Sequence, residues 1–200
     1  MGMPRAALTS EEIDAFRQKA VVAATSLFAE HGVDGVSMRR LAAEMGCSAM
    51  TPYRYFENRD ALFAMVRTAA FRRFADRQRD AAASTKDPMA QLVRLKEAYV
   101  AFAVDEPDAY RIMFELRQRP TGRYPELAAE GARGFSYFHD AVVEAIATGA
   151  LQGDPLTVAH LLWAGAHGIV SLHLAGKLAM GRSLQDLCDH LVPIHAFNRS

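Results

Sequence analysis

A chain of 200 residues, with 23 Lys and Arg against 23 Asp and Glu and half of its residues apolar, reads as one ordinary globular unit or two small ones. The zero formal charge argues against a histone-like or polybasic tail protein, and the apolar content, enough to bury a core, argues against an acidic disordered chain. Cys47 and Cys188 stand far apart without CxxC or Cys/His spacing, which argues against a disulfide framework or a structural zinc site, and both read as small buried apolar side chains. Met1-Gly2-Met3-Pro4-Arg5 lacks the apolar run of a signal peptide, so a reducing cytoplasm is the expected compartment.

Nothing alternates with period two for long, whereas Ala, Leu, Arg, Glu and Met recur at three- and four-residue spacing, so the expected fold class is all-α with about nine helices. Thr9 and Glu12 have capping-box spacing. They open a helix over about 10–31 with Phe16, Ala20, Ala24, Leu27 and Phe28 on one stripe and Gly32 as its C-cap. Ser37 caps a short second helix through Leu41, Ala42 and Met45 that stops at Gly46; Ser48 caps a third, and Asn58 a fourth that runs to about Ala82. The segment Ala83-Ser84-Thr85-Lys86-Asp87-Pro88 is the clearest internal break. Beyond it helices are expected near 88–104, 106–116, 123–149, 155–179 and 183–195, with 117–125 as the longest irregular piece.

From Pro155 to Gly176 no charged residue occurs, a run that must be weighed as a membrane span. It carries His160, His167 and His173, for which lipid is a poor solvent, and Gly165 and Gly168 in its middle. A helix buried in protein on every side fits better, and in so small a chain that burial calls for a partner subunit. No membrane association is expected.

Two short helices joined through Met45-Gly46-Cys47-Ser48 make a helix-turn-helix, a glycine able to turn the chain followed by a capping hydroxyl. Such a pattern alone is weak. The surrounding residues are more specific: Ala24-x-x-Leu27-Phe28-Ala29-Glu30-His31-Gly32, Ser37-Met38-Arg39-Arg40-Leu41-Ala42, Gly46-Cys47-Ser48, and Tyr53-Arg54-Tyr55-Phe56 with Arg59 and Leu62. Over roughly residues 12–66 this string resembles the N-terminal domain of TetR/AcrR-family bacterial transcriptional regulators. In the second half, Trp163-Ala164-Gly165-Ala166-His167-Gly168 is similar to a subgroup whose body carries Trp, His and Gly in that arrangement.

The resemblance implies a homodimer with a three-helix DNA-binding head, here 1–60, a connecting helix over about 59–82, and a ligand-binding and dimerisation body, 83–200. It implies a repressor that binds a palindromic operator on double-stranded DNA and is released by a small-molecule effector. Carried over by position, Ser37 and Arg39 or Arg40 lie near a phosphate strand, and Ser48, Ala49, Met50 and Thr51 start the recognition helix. Tyr53 and Tyr55 meet the DNA backbone, Arg54 points into or along the groove, and Arg59 holds phosphate. The chain departs from the family with Cys47 for Val, Pro52 for Leu, Tyr55 for His and Arg59 for Lys. Cys47 and Arg59 keep the chemistry, whereas Pro52 lacks the first N–H that would donate within a helix capped by Ser48.

That segment holds the chemistry that DNA recognition requires. Arg54 suits a two-pronged contact to guanine, Thr51 or Met50 a thymine methyl, and Ala49 close approach, while Phe56 reads as core. Residues 53–79 hold seven Arg against Glu57, Asp60 and Asp76, a net of +4 and a source of directed basic surface, though the later ones run toward the body.

In the body, Phe102, Tyr110, Met113, Phe114, Phe138, Trp163 and His167 are candidates to line an apolar cavity for an apolar or amphipathic ligand. Val158, Leu162, Ala166 and Val170, with Leu187 and Leu191 of the last helix, are candidates for a two-fold four-helix interface. His160, Trp163 and His167 share a helical face, but no carboxylate or Cys joins them in that helix, so no metal is expected, nor a cofactor. A helical-bundle enzyme or metal-binding protein finds no HExxH, Glu-x-x-His, phosphate-binding glycine loop or GxSxG, and no catalytic residue is assigned. A helical interaction module without DNA binding is the remaining alternative, motivated by Pro52.

Overall fold

The computed structural model describes residues 9–115 and 121–191. The expected ends of the helices near 106–116 and 183–195, and residues 117–120 of the irregular piece 117–125, lie outside these residues. The described residues are all-helical: α1 (Ser10–Gly35), α2 (Met38–Glu44), a 3-10 turn (Pro52–Arg54), α3 (Arg59–Ala83), α4 (Pro88–Asp105), α5 (Pro107–Tyr110), a π-helical turn (Arg111–Glu115), a second 3-10 turn (Thr121–Arg123), α6 (Pro125–Ala147), α7 (Pro155–Leu174) and α8 (Leu184–Leu191).

Side-chain caps set most helix starts. Thr9 and Glu12 form the reciprocal capping box of α1, and Ser37 Oγ accepts from the Arg40 N–H at 3.1 Å. Asn58 accepts from Ala61, while Asp87 and Asp154 cap α4 and α7 ahead of Pro88 and Pro155, whose missing N–H costs nothing at a first helical position. Gly32, at φ +68°, breaks α1 where the glycine C-cap is expected, and Gly46, at φ +63°, turns the chain out of α2.

Three buried apolar clusters organise the molecule. The first joins Ala24, Leu27 and Phe28 of α1, Met38 and Leu41 of α2, Phe56, and Leu62, Phe63 and Val66 of α3. It also takes Ile112 from the π-helical turn far along the chain. The second joins Ala70 and Phe74 of α3 with Tyr99 and Phe102 of α4, Tyr110, Met113, and Ala166 and Val170 of α7. The third packs Leu92 and Leu95 of α4 against Phe138 and Val142 of α6 and Val158 and Leu162 of α7, with Ala81 and Ala82 of α3 at its margin.

Close helix approach depends on two glycines. A Cβ at Gly134 of α6 would lie 2.9 Å from the Phe74 ring of α3, and one at Gly165 of α7 would lie 2.7 Å from Leu191 Cδ1 of α8. Gly165 therefore admits a helix of the same chain, whereas Gly168 faces open space. Inside the body, Lys96 is 5% exposed, and its Nζ donates to the Cys188 carbonyl of α8 at 2.7 Å.

The interface residues expected on α7 are corrected. Val158, Leu162, Ala166 and Val170 are at most 5% exposed within the single chain, because the stripe they form is the one that closes the chain's own clusters. Leu187 is half-buried, and Leu191 packs on the second cluster and over Gly165. The outward side of α7 carries instead Leu156, Leu161 and Leu172, each about half exposed. By length and composition α7 is apolar enough to cross a membrane, yet one of its faces is committed to packing inside this chain.

The contact at Gly134 sets a stability expectation. Gly134→Val forces its branched side chain into the Phe74 ring and lowers the unfolding free energy by about 1–3 kcal/mol. Urea denaturation followed by circular dichroism checks it, with a lower midpoint and an unchanged slope expected.

Candidate nucleic-acid interface and effector cavity

The head presents its candidate residues through two short pieces of backbone. In α2, Met38, Leu41 and Ala42 point inward, which turns Arg39 and Arg40 to solvent. After Gly46 the expected third helix does not form. Ala49 and Met50 lie in a turn, and regular structure is limited to the 3-10 turn Pro52–Arg54. The physical reason is the chemistry of Pro52, which has no N–H to give and stands buried at the first position of the turn. The bonds that do form are short-range, from Thr51 N–H to the Ser48 carbonyl (2.8 Å), from Arg54 N–H to the Thr51 carbonyl (3.0 Å) and from Tyr55 N–H to the Pro52 carbonyl (3.0 Å). Ser48 Oγ lies 3.1 Å from Thr51 Oγ1 and does not cap a helix.

On this scaffold Ser48, Ala49, Met50, Tyr53 and Arg54 are exposed, Met50 at 69% and Tyr53 at 52%, and Thr51 is half-buried. Arg39 and Arg54 make no ion pair with any described residue, so their guanidinium groups are open to a partner. Ser37 is exposed but its hydroxyl serves the α2 cap, and Arg40 Nη2 lies 2.6 Å from His31 Nε2. Two expected contacts are otherwise engaged. The Tyr55 ring stacks on Phe16 at 3.8 Å between centroids and 15° between planes, and its carbonyl accepts from Arg17. Arg59 pairs with the Asp34 carboxylate at 3.1 Å and also donates to the Asp34 carbonyl. In both cases the side chain holds the head together internally.

The expected basic surface over residues 53–79 is corrected in the same way. Arg72 pairs with Glu126 and Glu130 of α6, Arg73 with Glu106, Arg77 with Asp105 and Glu106, and Arg79 with Asp76 and Asp80. Arg67 is buried between the Phe63 and Phe71 rings, where desolvation lowers its pKa. The acidic partners of Arg72, Arg73 and Arg77 lie far along the sequence, so counting charge in a window overstates what reaches solvent. Glu130 illustrates the balance: burial alone would raise its pKa, but hydrogen bonds from Arg133 and Arg72 outweigh that and hold the carboxyl below its ordinary value.

In the body a cavity of about 400 Å³ lies between α3, α4, α6, α7 and the π-helical turn. Of the expected residues, Met113, Phe114, Phe138 and Trp163 line it. Phe102 does not. It is fully buried beside the Phe74 ring with Arg77 over its face. Tyr110 and His167 stand behind the wall in a polar cluster, with Tyr110 Oη 2.6 Å from His167 Nδ1 and 3.0 Å from Tyr99 Oη. Tyr99 does reach the cavity, and burial, then the neighbouring Tyr110, pushes its phenol far above its ordinary value. The sequence reading missed Phe71, Phe74 and Gln78 because it began the body at residue 83, and α3 contributes a whole wall. A signal was present: Phe71 and Phe74, like Gly131 and Gly134 opposite them, are three residues apart and so share a helical face.

Consecutive residues of the π-helical turn look in different directions. Ile112 is buried in the head cluster, while Met113 and Phe114 form part of the cavity wall. The backbone that closes the cavity thus also completes the core under α1 and α2.

Comparison with known proteins matches this arrangement. Residues 20–66 match the family described as bacterial regulatory proteins, tetR family, and residues 92–194 match the tetracyclin repressor-like C-terminal domain. The chain belongs to the TetR family. It is 28% identical over 180 residues to the HTH-type transcriptional regulator Rv1816 of Mycobacterium tuberculosis, covering 74% of this chain and 76% of that protein. A solved protein from Rhodococcus sp. RHA1 superposes with a TM-score of 0.75 at 28% identity, over 87% of this chain and 90% of that one. FadR from Bacillus subtilis, solved in complex with stearoyl-CoA, superposes with a TM-score of 0.75 at 14% identity, over 88% and 96% of the two chains, a likeness of fold. As a TetR-family member the chain is a DNA-binding transcriptional regulator and not an enzyme.

The two tyrosines of the TetR-family head separate structure from recognition. Tyr55→Ala removes the ring stacked on Phe16 and costs about 2 kcal/mol, which lowers the melting temperature by about 4–8 °C. Tyr53→Ala leaves melting within about 1 °C, since exposed positions contribute little. Differential scanning calorimetry of both variants checks the contrast.

Proposed function

We propose that the chain acts as a homodimeric repressor that binds a palindromic operator and leaves it when a small apolar or amphipathic effector fills the body cavity. The division expected from sequence serves this reading, with a head over 1–60, α3 as connector and a body from 83 onward. The observation that carries it is the π-helical turn, where Ile112 in the head core is adjacent to Met113 and Phe114 in the cavity wall. A ligand that presses on Phe114 and Met113 pushes against the backbone that also holds Ile112, and the head packs on that side chain.

Recognition falls to a small set of groups. Arg54 and Tyr53 on the 3-10 turn, Ser48, Ala49 and Met50 before it, and Arg39 and Arg40 on α2 meet the DNA, with Arg54 reading a base and Arg39 neutralising a phosphate. A recognition element of one turn makes fewer base contacts than a full helix. Phosphate contacts and a paired second head then carry more of the affinity. Two heads about 34–36 Å apart would read half-sites one helical turn apart.

For the dimer, the exposed leucines 156, 161 and 172 replace the inward residues of α7 as the interface, alongside α8. Exposed leucines on a charge-free helix are costly in water and stable against a two-fold copy. The cytoplasm is the compartment where such a regulator works. Stearoyl-CoA is the ligand of the Bacillus subtilis FadR structure, and long acyl thioesters are one class of amphipathic effector to test.

Fluorescence anisotropy with a palindrome from the promoter beside the gene tests the reading. Submicromolar affinity that falls steeply with salt is expected. Arg54→Ala should weaken it about tenfold to a hundredfold at one base position, and Arg39→Ala should weaken it across sequences and reduce the salt slope by about one. Wild-type affinity in both variants would remove these residues from the interface. Sedimentation velocity should find twice the 22.0 kDa chain mass, and Leu161→Asp with Leu172→Asp should give monomers that bind operator at least tenfold more weakly.

A further inference from the structure

The cavity's own chemistry narrows what it holds. Its wall is mostly aromatic, with Phe114 meeting Phe71 at 5.6 Å and 81° and Phe74 at 6.3 Å and 84°, while Trp163 meets Phe135 at 6.0 Å and 67°. Edges and faces therefore both point inward, the arrangement that another aromatic ring completes best. At Gly134 of α6 the Phe74 ring packs directly on the backbone, whereas at Gly131 a Cβ would stand 3.9 Å from Phe71, which leaves a slot there bounded by backbone and rings.

Two polar side chains of the wall are already engaged. Tyr99 Oη bonds to Tyr110 Oη, and Gln78, with its amide oriented to satisfy both ends, donates to the Leu95 carbonyl and accepts from the Tyr99 N–H. No Asp, Glu, Lys or Arg is among the described lining residues. A buried ionic ligand would lose its hydration there without a described counter-charge. One group remains at the opening. His160 is exposed and donates through Nδ1 to the Leu156 carbonyl at 2.8 Å, which leaves Nε2 as an acceptor.

We propose that the effector is a compact, uncharged aromatic compound of two linked or fused rings, carrying a hydroxyl or N–H that donates to His160 Nε2. This rests on the effector reading of the cavity given above. The volume of about 400 Å³ holds roughly 15 non-hydrogen atoms at protein-like packing. That is room for two rings and a substituent.

Isothermal titration calorimetry of the full chain with four probes tests the proposal: 4-phenylphenol, its methyl ether 4-methoxybiphenyl, biphenyl-4-carboxylate and 1-decanol. 4-Phenylphenol should bind tightest, with the carboxylate and the aliphatic alcohol at least about tenfold weaker. His160→Ala should weaken 4-phenylphenol about fivefold to tenfold and leave the methyl ether unchanged. Gly131→Leu grows into the slot from a helical position where a Cβ has ordinary contacts, and leucine is the better helix former, so the variant should fold and lose binding at least tenfold.

Decanol binding as tightly as the phenol, or the carboxylate binding tighter, overturns the ligand class. Gly131→Leu that folds and binds normally overturns the location. If Gly131→Leu does not fold, the wild-type ranking and His160→Ala decide. No binding of any aromatic probe by protein that still binds its operator overturns this proposal and leaves the regulator intact. Aromatic binding that never releases operator overturns the effector reading and leaves the ligand class standing.

Discussion

Helix α3 supplies buried side chains to the head through Leu62, Phe63 and Val66 and to the body through Ala70 and Phe74, and it borders the third cluster through Ala81 and Ala82. A single helix therefore supplies buried side chains to two cores and lies along the third, so a shift of α3 is felt in each. The rest of the molecule is arranged around that constraint. α1 and α2 wrap its first half, α4 and α6 clasp its second, and Arg72 with Arg133 bolts it to α6 through Glu126, Glu130 and Asp76. Each of those pairs is partly solvated and contributes little alone, about 0–1 kcal/mol. Their effect is to fix which residues of two long helices stand opposite each other.

The same pairs decide how the molecule shows itself to DNA. An uncharged protein can bind a polyanion only if its charges are sorted, and the sorting here is mostly subtraction. Arginines of α3 that face the body are neutralised by Glu106, Glu126 and Glu130, and the one that starts α3 is held by Asp34. Arg39 and Arg54 are left with no such partner among the described residues. Long-range attraction is therefore weak and local contact decisive, which favours discrimination over indiscriminate adhesion.

Much of the fold was legible because caps are local. Thr9 with Glu12, Ser37 and Asn58 each announce a helix within three residues of themselves and cap one in the structure, whereas Ser48, read by the same rule, caps none. Pro52 was equally local: its missing N–H flagged a shortened recognition element, and a single 3-10 turn is what forms. What sequence could not give was direction in space. The stripe Val158, Leu162, Ala166 and Val170 satisfies a dimer seam and a protomer core equally well, and only the presence of α4 and α6 beneath it decides. Tyr55 likewise has a family role on DNA and a ring that fits Phe16, a choice made by tertiary contact. The cavity was half legible, since body aromatics were counted but the α3 wall came from a helix assigned to connection.

Lys96 ties these parts together through one hydrogen bond. Its ammonium sits in the interior with the Cys188 carbonyl as its partner, one helical turn before Tyr99 on the same side of α4. Lifting α8 from the body would strand a charge in an apolar setting, a penalty far larger than the loss of an ordinary surface contact. α8 is thereby leashed to the helix that carries a cavity residue. In thermodynamic terms, the seating of α8 and the position of α4 share a coordinate: a shift of either is felt by the other, and the reciprocal influence has the same magnitude.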